Sequence, residues 1–287
     1  MKKETIQERA DIVNKSLSFM YRNIEHEITL DDLAKLNHVS KFHFHRIFKE
    51  ETSENFSEML TSIRLQKAAN LLISNKHSTI SEILNSCGYK SSSSFIKAFK
   101  KRFIYTPKEW RNGAFKRYSD ELNIDNISNK IKNLEYEIKV NEEIYCAYIR
   151  HKGYDKSIKN TWQRLRALAY QNNINNYQEI GLHHDNPSIT PLNKCKYIAA
   201  ITIDKENKIN SNISTFVIPK SLCAVFKLDG KYGDILDLIR YIHQEWILNE
   251  GKGYEITTLP IYIKYIKNHL VDNTDFEIEV NIPIKVI

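Results

Sequence analysis

The sequence is poor in cysteine, with four among 287 residues, and nothing joins them. Cys87, Cys146, Cys195 and Cys223 lie far apart, with no Cys-x-x-Cys pair and no Cys/His cluster. Zinc spacing is absent, and buried reduced thiols are the simplest reading. No apolar run approaches the ~20 residues a membrane-spanning helix needs, so no membrane partner is expected. Residues 1–8 mix charges and lack an apolar signal core, which points to a cytoplasmic protein rather than an exported one. A Gly-rich phosphate loop, a Ser nucleophile elbow and a His-Glu-x-x-His motif are also missing. The expectation is therefore no cofactor, no metal and no enzyme.

What the chain does carry is an uneven charge. The net charge is +7; residues 1–117 hold 21 Lys and Arg against 13 Asp and Glu, and residues 118–287 hold 21 against 22. The whole positive excess sits in the first part, which fits a polyanion partner there and a neutral partner surface beyond it. The length argues for two domains, each able to bury its own core. Hydrophobic content of 41% and charged content of 27% are ordinary for a folded globular chain.

Residues 8–115 show helical periodicity and dense start signals. Ile12, Val13, Leu17, Met20 and Ile24 recur at helical spacing. Thr29, with Asp32 three residues on, opens a short helix through Leu33, Ala34 and Leu36 as a capping-box variant. After a break at Asn37-His38-Val39, Ser40 caps a third helix over about 41–51, whose inner face is Phe44, Ile47 and Phe48. Two short helices joined by a tight turn make a helix-turn-helix. Asn55 and Glu58 frame the start of a long amphipathic helix reaching about Asn75. The arrangement then recurs. Thr79 and Glu82 form a capping box, Ile83 and Leu84 give an apolar face, and Gly88 supplies the turn. Ser91 caps a second helix through Phe95, Phe99 and Phe103, and Thr106-Pro107-Lys108-Glu109 begins another.

Residues 116–133 are polar and rich in Asn, Asp and Ser, which reads as a linker. Strand patterns follow at 134–140, 144–149, 197–203, 216–218 and 261–266, with helical segments at about 157–171 and 234–248. This second part also repeats. At an offset of 77 positions Cys146 matches Cys223, Ala147 matches Ala224, Gly153 matches Gly230, Ile158 matches Ile235, and Leu165 matches Ile242. The expected fold class is multidomain: an all-α N-terminal domain with two helix-turn-helix units (8–115), a linker (116–133), then an internally duplicated α+β domain (134–287). A groove between duplicated halves is a natural ligand pocket.

Residues 10–111 resemble the AraC/XylS family of transcription regulators. The second unit carries the densest signature: Ile83, Cys87-Gly88-Tyr89, Ser91, Phe95, Phe99-Lys100, Phe103, Thr106-Pro107 and Trp110-Arg111. Ser53 and Ile104 depart from it where the family has a glycine after each recognition helix, and Leu84 stands in place of alanine. The resemblance implies double-stranded DNA as partner, RNA polymerase as a further one, and a monomer on an asymmetric site. The residues themselves agree. With Phe44, Ile47 and Phe48 inward, the outer face of the first recognition helix presents Lys41, Phe42, His43, His45, Arg46 and Lys49. Phe42 suits thymine methyls, Arg46 a bidentate pair to guanine, and His45 a base edge. On the second helix Ser92, Ser93, Ile96 and Lys97 face outward, with Lys90, Lys100 and Lys101 placed for phosphates. Its small serines permit close approach but read bases less.

Residues 134–287 resemble the GyrI-like effector-binding domain. Arg150-His151-Lys152-Gly153-Tyr154, Trp162, Gly181, Asp185-Asn186-Pro187, Cys195-Lys196-Tyr197, Ala224-Val225-Phe226, Gly230, Tyr232, Trp246 and Glu279-Val280-Asn281-Ile282-Pro283 carry the likeness. It implies a small apolar or amphipathic ligand. Ile263 stands where relatives place a glutamate that counters cationic ligands or serves hydrolysis. Candidate pocket residues are Tyr148, Trp162, Tyr232, Trp246 and Tyr262, with Glu245 or Glu179 as substitute carboxylates. For Trp162 and Trp246 core packing is the first reading. Hydrolysis of a reactive small molecule and capture of another protein are the alternatives for this domain. His183-His184-Asp185 does not make a metal site, because neighbours along a strand point to opposite faces.

Overall fold

The computed structural model describes residues 6–122, 129–205, 213–230, 233–267 and 276–287. Its contacts divide the chain into two compact units, Met1–Ala69 with Ser78–Lys108, and Asn70–His77 with Glu109–Ile287. Among the described residues no helix is long and apolar enough to cross a membrane.

Helices α1 (Ile6–Arg22), α2 (Leu30–Leu36), α3 (Lys41–Thr52), α4 (Phe56–Ser74), α5 (Ile80–Ser86) and α6 (Ser92–Phe103) form the first unit, except that α4 passes into the second from Asn70 onward. Local chemistry fixes where they start. The Thr29 side chain accepts from the Asp32 amide, while the Asp32 carboxylate accepts from the Thr29 amide at 2.8 Å. Thr79 and Glu82 repeat the device at α5, at 2.6 Å for the reciprocal bond. Ser40 and Ser91 cap α3 and α6 through the amides of His43 and Ser94. Such caps are each worth about 1 kcal/mol. α3 and α6 are each followed by a non-glycine residue at positive φ. Ser53 (φ 61°) and Ile104 (φ 70°) adopt the left-handed backbone that a glycine would take without strain.

One core joins α1 to the first helix-turn-helix: Leu17, Met20 and Ile24 pack with Leu33, Phe44, Ile47, Phe48 and Ile63. Under α6 the rings of Tyr89, Phe95, Phe99 and Phe103 stack in sequence, with centroids 4.9, 5.5 and 4.7 Å apart. Burial of these inner faces orients the outer ones.

Beyond α6 come α7 (Pro107–Glu109), a segment Trp110–Ala114 kinked at Gly113 (φ 107°), α8 (Phe115–Asp120) and α9 (Asn129–Lys132). The described parts of the expected linker are thus largely helical; residues 123–128 lie outside the described residues. Polar composition hid its apolar anchors. Trp110 meets Tyr118 edge-on at 5.3 Å, and Ile131 is fully buried in the core of the second unit.

In the second unit follow β1 (Tyr136–Asn141), β2 (Ile144–Lys152), α10 (Ile158–Gln171), β3 (Glu179–His183), β4 (Lys196–Thr202), β5 (Ser214–Ile218) and β6 (Ser221–Gly230). Then come α11 (Asp234–Tyr241), a wide turn Ile242–Trp246, α12 (Ile247–Asn249), β7 (Tyr254–Ile256), β8 (Ile261–Lys267) and β9 (Phe276–Val286). The strands pair antiparallel in the order β1-β6-β9-β8-β3-β4-β2-β5, with β7 on β9. Exchanging β1 with β5, β2 with β6, β3 with β8 and β4 with β9 turns that order into its own reverse. The side chain of buried Asn75, at the end of α4, donates to Ile256 O at 2.9 Å and accepts from Ile256 N at 3.1 Å, pairing with the backbone of β7.

Alternation along the strands gives the sheet two apolar faces. One packs Ala199, Tyr197, Phe226, Ile263 and Val280 against Trp162 and Leu165 of α10, Leu238 of α11, and Trp246. The other gathers Cys146, Tyr148, Ile180, Leu182, Ile198, Val225 and Tyr262.

Candidate functional site

On α3, Lys41, Phe42, His45, Arg46 and Lys49 are exposed while Phe44, Ile47 and Phe48 are buried. Phe42 is 83% exposed, the most exposed large apolar side chain among the described residues. On α6, Ser92, Ser93, Lys97, Lys100 and Lys101 are exposed, as is Lys90 just before it. The Arg46 guanidinium donates to His43 Nδ1 at 3.2 Å, one turn away. Lys41 pairs with Asp31 at 3.2 Å and Lys90 with Glu27 at 2.6 Å. The lysine partners hold both carboxyls below their ordinary pKa, Lys35 first for Asp31 and Lys90 for Glu27. These exposed pairs are screened and weak.

The candidate ligand residues do not gather in one place. Trp162 and Trp246 lie fully buried on the helix-covered face, whereas Tyr148 and Tyr262 belong to the opposite face. Tyr148 carries the Arg150 guanidinium 5.3 Å over its ring. Tyr262 accepts from Asn141 at 2.7 Å, and its burial raises the phenol pKa. Glu245 pairs with Lys132 at 3.2 Å and stays partly exposed. Glu179 takes two bonds from Arg166, at 2.6 and 2.8 Å, so its charge is matched within the unit. Tyr232 lies outside the described residues.

A different set does come together, around Gly181 on β3. The Trp162 indole donates to the Tyr197 hydroxyl at 3.1 Å, and that hydroxyl shares a hydrogen bond with Tyr265 at 3.0 Å. Both phenols press on Gly181, where an added Cβ would stand 2.5 and 2.8 Å from their oxygens. His183, two residues along the same face, packs edge-on against Tyr154 and Tyr197 at 4.8 and 5.1 Å. Neither His183 ring nitrogen finds a hydrogen-bond partner among the described residues, and burial pushes its pKa down to about 3. Sequence reasoning had Tyr154, Gly181 and Tyr197 only as parts of a family pattern. The period-two register of Glu179, Gly181 and His183 was the signal that places them on one face.

All four cysteines are buried and none is in a disulfide. Burial lifts the Cys87 and Cys146 thiols to about 12, which leaves them unreactive.

Comparison with known proteins matches residues 134–285, over half of the chain, to the GyrI-like small molecule binding domain. Residues 33–113 match a helix-turn-helix domain. The lactose operon transcription activator of Staphylococcus xylosus is 33% identical over 108 residues, 36% of this chain and 38% of that protein. The xylose operon regulatory protein of Escherichia coli K12 is 39% identical over 85 residues, 30% of this chain and 21% of that protein. The chain thus spans well under half the length of either relative. Among solved structures, the C-terminal domain of AraT, a response regulator from Geobacillus stearothermophilus, is 32% identical, covering 35% of this chain and 84% of that one with a TM-score of 0.34.

Proposed function

We propose that this chain, which belongs to the GyrI-like small molecule binding domain family and carries an AraC-type helix-turn-helix domain ahead of it, is a transcription regulator that reads an asymmetric DNA site and answers to a small ligand. The observation that carries the reading is the outer face of α3. Phe42, His45 and Arg46 stand exposed on a helix whose opposite face is buried, so the base-reading groups are held at fixed positions. α6 offers mainly serines and lysines, which suit backbone contact, and a phosphate can displace the weak Lys41–Asp31 and Lys90–Glu27 pairs. Two units on one chain favour a monomer spanning two blocks about one helical turn (~34 Å) apart. The regulatory titles of the two relatives support the same class and, through it, RNA polymerase as the further partner.

In the second unit the ligand reading rests on the polar centre around Gly181. Buried His183 and the Tyr197–Tyr265 pair offer donors and acceptors in an apolar setting. Ile263 is fully buried, and Glu179 is matched by Arg166, so a neutral amphipathic ligand fits better than a cation, and hydrolysis lacks its carboxylate.

The test for the DNA part is the pair Arg46→Ala and Lys97→Ala in the full chain. Sequence-selective binding should vanish while the melting temperature holds; unchanged selectivity contradicts the assignment. For the ligand part, thermal shift with neutral amphipathic probes and with lipophilic cations decides. Stabilisation by cations alone would contradict the neutral site.

A further inference from the structure

Arg64 stands on α4, the helix between the two helix-turn-helix units, and its half-buried guanidinium meets two other segments of the first unit. Its Nε donates to Ile24 O at 3.2 Å and its Nη2 to His26 O at 2.6 Å, both just past the end of α1. The same group lies against Gly88, in the turn between α5 and α6. A Cβ built on Gly88 would come within 2.6 Å of Arg64 Nη2 and 2.4 Å of Ile24 O. Gly88 is also at φ +75°, so both its missing side chain and its backbone conformation allow this approach. Burial is the first cause of the lowered Arg64 pKa, with Glu27 among the acids that counter it. Arg102 of α6 adds a second tie to α4, donating to Ser62 Oγ at 2.7 Å and Gln66 Oε1 at 3.0 Å.

We propose that Arg64 is a positioning residue that locks the first helix-turn-helix to the second, and so sets the spacing between the two DNA blocks the chain accepts. The inference rests on the reading that both units engage DNA. Moving one block by a single base pair shifts it by about 3.4 Å and rotates it by about 35° around the duplex. A rigid joint rejects that change, and a loose one follows it. The guanidinium serves the role because it donates along two directions while lying against Gly88; an ammonium is a point charge that does not reproduce both. Carbonyls just past a helix end otherwise depend on water for their partners.

The experiment measures the affinity of the full-length wild-type chain, Arg64→Gln and Arg64→Lys for duplexes carrying both selected blocks, with one or two base pairs inserted or deleted between them. A duplex with the α3 block alone is the control for a folded, competent protein. Wild type should lose roughly ten-fold in affinity on a one-base-pair change, comparable to a mismatched pair. Arg64→Gln should bind the single block as wild type does and vary by only about two-fold across spacings. Arg64→Lys keeps the charge and serves as the variant of record if Arg64→Gln loses single-block binding. A variant with the wild-type spacing profile overturns the proposal, and so does a wild type indifferent to spacing. A wild type that selects no sequence at all instead overturns the DNA-reading function beneath it.

Discussion

From Lys41 to Lys101, the residues assigned to DNA stand exposed on helices with buried inner faces. The polar groups gathered around Gly181 are buried between sheet and helix. The contrast separates two ways of building a site. In the first unit stability resides on one side of each helix and recognition on the other, so the two can be changed independently. In the second, the groups that would meet a ligand also hold the core, and any change to them is a change in stability as well.

Gly181→Ala should show the largest effect, because its Cβ would displace the Tyr197 and Tyr265 hydroxyls from their mutual bond. Overpacking of this kind costs up to about 3 kcal/mol, measured as a lower urea midpoint of the tryptophan fluorescence transition; an unshifted midpoint would mean the centre is loosely packed.

Next comes acid. His183 is held neutral, with its pKa down at about 3. Below pH 6.5 the unfolded chain takes a proton that the folded one refuses, so stability falls with pH down to about 3. The loss is about 1.4 kcal/mol per pH unit, or about 2 kcal/mol by pH 5. His183→Phe keeps the ring contacts and should flatten that slope; a slope unchanged in the variant would assign the acid sensitivity elsewhere.

On the first unit the expected changes are smaller and separable. Ile104→Gly should raise stability by about 1 kcal/mol, since a β-branched residue is strained at φ 70° and its side chain is 67% exposed. Ser53→Gly, lacking the branched side chain, should gain less. DNA affinity should stay put in both. Lys100→Ala should leave stability unchanged and reduce the slope of log affinity against log salt by about 0.9. A loss of stability there would break the division between the two faces.

The same contrast explains what could be read from the sequence. Thr29 with Asp32, Thr79 with Glu82, and the serine caps were legible because capping is local chemistry. The inner and outer sets of α3 and α6 followed from helical spacing alone. The polar centre around Gly181 was harder. In β2, β3 and β4 both faces are largely apolar and buried, so these strands show no polar alternation to say which face carries helices. Tyr148 and Tyr262 were therefore grouped with Trp162 and Trp246 although they stand on the other face. Strand alternation separated His183 from His184 but could not name its neighbours; the pairing of β3 with β4 and β8 brings it beside Tyr197. Ile131 shows the reverse failure, one buried anchor concealed by polar neighbours.

The most direct test of the account is selection of binding sites from a random duplex library by the full-length chain at near-physiological salt. A monomer reading two blocks should select an asymmetric consensus: a well-defined block under α3 and a looser one under α6, about one helical turn (~34 Å) away. A palindromic consensus, or no enrichment with or without a neutral amphipathic ligand, would contradict it.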